Sequence, residues 1–146
     1  VFTAGFEAGW VAHDDAVITV RTLAQAGFTL GALTNAPGAM SQRKLERMGL
    51  ADVVPLLVSL DTFGVGKPDE RVFLEACRRL GTAPAETAYV GDELDTDALA
   101  ASRAGLRGIW LDRPVARRGG SHLEDPALAQ RAGVSIIGTP EELLRS

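Results

Sequence analysis

A chain of 146 residues is long enough for one compact domain with its own core. Hydrophobic residues make up 46% and charged residues 23%, which excludes a disordered chain, and no apolar run approaches the length of a membrane span. The net charge of −4 argues against a general nucleic-acid binder, and one cysteine is too few for a disulfide scaffold or a cysteine-based zinc site. No basic-then-apolar leader is recognisable, so a cytoplasmic protein with neither a nucleic-acid nor a membrane partner is expected.

Phe2, Phe6 and Trp10 recur every four residues, which predicts a short first helix with an aromatic face. Asp14 and Asp15 suit the start of a second helix reaching about Ala26, with Val17, Ile18, Val20, Leu23 and Ala24 on its apolar side and Gly27 as its stop. Residues 28–33 read as a buried strand that runs into the loop Thr34-Asn35-Ala36-Pro37-Gly38. A helix is expected over 38–48, a second buried strand over 53–60 and a Gly-rich loop over 61–68. The next helix spans 69–80, and Cys77 lies on its apolar side with Val72, Phe73 and Leu80, as a packed thiol would. Residues 87–90 form a short buried strand, followed by Gly91-Asp92 and a helix over 94–104. A strand over 106–111, a surface loop over 112–126, a helix over 127–132, a strand over 134–137 and a helix from Thr139 complete the chain.

Strands alternating with helices at this spacing predict an α/β fold, a doubly wound and mostly parallel sheet covered on both faces. Ligands in such sheets bind beyond the carboxyl ends of the strands. Thr34-Asn35, Gly66-Lys67 and Gly91-Asp92 all fall at that edge. A hydroxyl (Thr34), an ammonium (Lys67) and two carboxylates (Asp92 and Asp97) converging there suit an oxygen-rich dianion beside a hard divalent cation, Mg²⁺ by preference. Lys67 is one of two lysines against thirteen arginines, which marks it out, although as a loop lysine it is expected to add little to folding stability.

These residues resemble the haloacid dehalogenase-like hydrolases. Leu33-Thr34-Asn35, Gly66-Lys67-Pro68-Asp69 and the GDxxxxD run from Gly91 to Asp97 are similar to that family's second, third and fourth motifs. The resemblance implies a Rossmann-like core in which Thr34, with Asn35 beside it, holds the transferring phosphoryl group and Lys67 holds the phosphate and the nucleophile. It also implies that Asp92 binds Mg²⁺ directly and that Asp97 stands behind it, holding a water or Lys67. The first motif, DxDx[TV], which supplies the nucleophilic aspartate, is absent from the 146 residues. The resemblance therefore divides the chain into the end of a helical cap over 1–13 and the later part of the core over 14–146. The strand that bears the first motif should then be missing from the middle of the sheet. A segment outside this sequence, a strand from another chain or direct re-pairing of the two edges would have to close the gap.

Other motifs fail on their residues. Gly66-Lys67 lacks the earlier glycine and the Ser/Thr of a P-loop, Gly64-Val65-Gly66 lacks the third glycine of a dinucleotide fingerprint, and Leu94 spoils an EF-hand. His13 and His122 have no second ligand at a useful spacing. The expected function is a Mg²⁺-dependent phosphatase of a small phosphorylated metabolite, working through an aspartyl-phosphate whose nucleophile lies outside the sequence. The alternatives are a non-catalytic phosphate- and metal-binding module and a 2-haloacid dehalogenase, the latter disfavoured by Asp97.

Overall fold

Neighbouring residues of the inner strands point into opposite cores. Leu30, Ala32, Ala88 and Val90 join one buried cluster, while Leu33 and Tyr89 join another on the far face. Only a sheet covered on both sides buries both sets. The computed structural model describes residues 3–7, 14–59, 61, 64–112, 125–139 and 142–143. Its strands are β1 (Thr3–Glu7), β2 (Thr29–Leu33), β3 (Leu56–Val58), β4 (Thr87–Gly91), β5 (Arg107–Leu111) and β6 (Ser135–Ile137). They pair in parallel, in the order β3-β2-β1-β4-β5-β6. This doubly wound order reverses beside β1, so the crevice at the carboxyl ends opens there.

The centre of the sheet corrects the expectation for the first residues. Thr3–Glu7 is a strand and not the aromatic-faced helix of a cap, and it fills the position expected to be missing from the sequence. Thr3 lies level with Thr29 on one side and Thr87 on the other, and Glu7 lies level with Gly91. The physical reason is hydrogen bonding. A slot between β2 and β4 presents two rows of N–H and C=O groups that need partners, and one five-residue strand satisfies both. Against that, three aromatics at helical spacing across Gly5 and Gly9 offer a weak helix. Phe2 and Trp10 lie outside the described residues, as do His13 and His122.

The helices α1 (Asp14–Gln25), α2 (Gly38–Arg47) and α3 (Glu70–Leu80) follow the sequence reading closely, except that Ile18, expected on the apolar side of α1, is exposed, because the face that carries Val20 and Leu23 is the one packed on the sheet. Asp69 caps α3 by accepting the Arg71 N–H at 2.9 Å, and Gly81 ends it at φ 76°. Cys77 is buried on that helix, and desolvation raises its thiol pKa, in keeping with a core role. The second strand is shorter than the expected 53–60. The Val53 and Val54 N–H groups both donate to the Leu50 carbonyl, closing a turn, and Pro55 has no N–H to begin a ladder. Val54 is nonetheless buried, so the apolar run reports packing of a turn as well as a strand.

The helix expected over 94–104 begins as a π-helix, Leu94–Leu99, and continues as α4 (Ala100–Arg103). A π turn is wide and rare, and here it carries the acidic motif. A 3₁₀ turn, Pro84–Glu86, leads into β4, and α5 (Pro126–Arg131) leads into β6. The expected loop over 112–126 falls mostly outside the described residues, as does most of the last helix. No helix among the described residues is long and apolar enough to cross a membrane.

Candidate functional site

The carboxyl ends of β2 and β4, and the loop that leads from β3 to α3, bring the sequence-predicted residues together. Thr34 follows β2 and is buried; its N–H donates to the Val58 carbonyl at 2.9 Å, which ties it to β3. Its Oγ1 accepts the Ala36 N–H at 3.0 Å, and a hydroxyl that accepts there keeps its own proton as a donor.

Lys67 comes from the loop before α3, at a cis Lys67–Pro68 peptide. Its side chain is 6% exposed, and Nζ lies 2.5 Å from Oδ1 of Asp97, itself 2% exposed. The ammonium also stands 5.6 Å from the centre of the Tyr89 ring. A buried charge needs this kind of company. Lys67 is thus embedded in the site, unlike the solvated loop lysine that its sequence context suggests.

Asp97 uses both carboxylate oxygens inside the protein, Oδ1 on Lys67 and Oδ2 on the Glu93 N–H at 3.1 Å. Asp92, directly after β4, is buried, and its main-chain carbonyl accepts the Trp110 indole N–H at 3.2 Å. Asp97 is committed to the lysine, whereas the chemistry of Asp92, a buried carboxylate at the strand edge, fits a hard cation that keeps several waters. Among the described residues, no three His, Cys, Asp or Glu side chains group around one point.

Asn35 is brought to the same edge, where its side chain meets the main chain of Lys67. Its Oδ1 accepts the Lys67 N–H at 2.8 Å and its Nδ2 donates to the Lys67 carbonyl at 3.0 Å. Both polar ends of the amide are occupied by one residue's main chain.

A profile of hydrolases described as haloacid dehalogenase-like matches residues 4–105 of the chain. The chain belongs to that family. Among similar proteins, a glyceraldehyde 3-phosphate phosphatase of Methanopyrus kandleri is 40% identical over 101 residues, covering 69% of this chain and 43% of the relative. A phosphoserine phosphatase of Thermus thermophilus is 39% identical over 100 residues, covering 68% of this chain and 38% of the relative. The crystal structure of a HAD phosphatase from Thermococcus onnurineus superposes with a TM-score of 0.74 at 28% identity, over 91% of this chain and 56% of that one. The chain spans less than half the length of the two phosphatases it matches.

Within this haloacid dehalogenase-like core, several supporting residues escape a motif reading. The Tyr89 hydroxyl donates to the Leu33 carbonyl at 3.2 Å, next to Thr34, while its ring faces Lys67. Ser59 Oγ donates to Asp61, which also accepts the Gly38 N–H at 3.0 Å at the start of α2. For Tyr89 the only sequence signal is its place two residues before Gly91 in a buried strand. For Asp61, read only as the start of a Gly-rich loop, no local signal marks a contact with Gly38, 23 residues earlier.

Proposed function

We propose that this protein is the core of a phosphatase acting on small phosphorylated metabolites. The observation that carries the reading is the buried Lys67–Asp97 pair beside Thr34 and Asp92, at the carboxyl ends of the strands. Lys67 would neutralise phosphoryl oxygens, held in place by Asp97, and Thr34 would donate its hydroxyl to the same group. Asp92 would hold Mg²⁺, which when bound offsets the charge of the phosphoryl oxygens near the carboxylates. Asp97 would serve as the seat of Lys67 and not as a direct ligand, because both its oxygens are engaged. The phosphatase names of the two relatives support phosphate ester hydrolysis.

In this reading the nucleophile is an aspartate that lies outside the 146 residues, since DxDx[TV] does not occur among them. An aspartate-bearing strand would have to take the position that Thr3–Glu7 holds here. The test is hydrolysis of a generic aryl phosphate with Mg²⁺, by the 146-residue chain and by the chain expressed with any coding sequence that precedes it. Turnover by the longer protein that disappears in Asp92→Asn is the expected result. Equal Mg²⁺-dependent turnover in Asp92→Asn would overturn it.

A further inference from the structure

Resting on that phosphate-site reading, we propose that Asn35 is a positioning residue, acting through the main chain of Lys67 and not on the phosphoryl group. Its side-chain amide reads the N–H and the C=O of one residue, at 2.8 and 3.0 Å, across 32 positions of sequence. That is the pattern a neighbouring strand makes, supplied here by a side chain in a place where β2 has ended. The two bonds take one N–H and one oxygen lone pair of the amide, and together they fix its orientation on Lys67.

The consequence falls on the lysine. A lysine side chain turns about four bonds, and holding its tip in one place is entropically costly unless its root is fixed. Lys67 is held at both ends: the main chain by Asn35, and the ammonium by Asp97 and the face of the Tyr89 ring, 5.6 Å from its centre. Beside it, the Asp69 N–H donates to the Gly66 carbonyl at 3.1 Å and closes a turn across Lys67. Releasing the clasp lets the root of Lys67 move, so its ammonium exchanges more freely with water and meets phosphate less well.

The chain has two lysines, Lys44 and Lys67, so ¹⁵N-resolved NMR of the lysine ammonium groups gives two signals and Lys44 on α2 serves as an internal reference. In the wild type the Lys67 signal should be protected from exchange by its pairing. Asn35→Ala should broaden or remove it while leaving Lys44 unchanged, and affinity for inorganic phosphate with Mg²⁺ should fall about tenfold. Asn35→Asp keeps the acceptor for the Lys67 N–H and should fall between the two, and it serves as the test should the alanine variant not fold. A folded Asn35→Ala with a wild-type Lys67 signal overturns the proposal, whatever happens to phosphate. Loss of the Lys67 signal in a protein whose wild type binds no phosphate would uphold the clasp and reject the phosphate reading instead.

Discussion

Gly91 and Asp97 are packed so closely that a Cβ added to Gly91 would lie 2.4 Å from the Cβ, Cγ and Oδ2 of Asp97. The glycine therefore makes room for the carboxylate, and the π turn over Leu94–Leu99 lowers that carboxylate onto the strand. This couples the strand end to Lys67. Gly91→Ala should destabilise the protein by about 2 kcal/mol through overpacking and should also displace the Lys67 ammonium. Gly31→Ala is the control, because its Cβ would press on the Leu56 and Leu80 side chains at 3.3 Å, away from the acidic motif. Urea denaturation should show both variants destabilised, while the Lys67 ammonium signal changes in Gly91→Ala alone.

The Lys67–Asp97 pair gives the lysine a structural role beside the one proposed for it at the phosphate. With side chains 6% and 2% exposed, neither charge can be left without the other cheaply. Lys67→Met should cost about 3 kcal/mol of stability, since it strands a buried carboxylate. The double variant Lys67→Met/Asp97→Asn should recover much of that, with a coupling of about 2 kcal/mol in a double-mutant cycle. Additive losses would show that the pair contributes nothing beyond its separate residues.

The fold was legible where periodicity and glycine agree. α1 with Gly27 and α3 with Asp69 and Gly81 stand where the sequence reading expects them, because caps and apolar spacing are local. The convergence of Thr34, Lys67, Asp92 and Asp97 was legible too, since a parallel sheet sends all of its loops to one edge. The roles inside the site were less so. Asn35 points to Lys67 through a contact 32 residues away, and Lys67 is buried by Asp97 and Tyr89 from other elements; no local pattern encodes either. The segment Thr3–Glu7 shows the same limit more strongly, because the needs of β2 and β4 outweigh its own helical spacing.

Thr19 on α1 is fully buried, and its Oγ1 has no hydrogen-bond partner among the described residues. A buried hydroxyl without a partner is a cost that an isosteric methyl removes. Thr19→Val should therefore stabilise the protein by about 1 kcal/mol, read as a higher urea midpoint with an unchanged slope. A lower midpoint would mean that the hydroxyl is satisfied.

Acid stability should carry the mark of Asp69. Hydrogen bonds from the Arg71 side chain, then from its N–H, hold the Asp69 carboxyl at about 2, below its ordinary 3.8. A carboxylate depressed in the folded state stabilises it above the unfolded pKa, and that contribution fades as pH falls from about 4 towards 2. Asp69→Asn keeps an acceptor for the cap but cannot titrate. Its urea midpoint should fall less than that of the wild type over this range, whereas parallel curves would place the acid sensitivity elsewhere.

The most direct test of the proposed phosphate site is calorimetric titration of inorganic phosphate into the purified 146-residue chain, with and without Mg²⁺. The site predicts binding that needs Mg²⁺ and weakens about tenfold or more in Asp92→Asn and in folded Lys67→Met, consistent with loss of charge-assisted contacts. Lys44→Met, on α2, should bind as the wild type does. Phosphate binding that is absent from the wild type, or equally tight in Lys67→Met, would contradict the account.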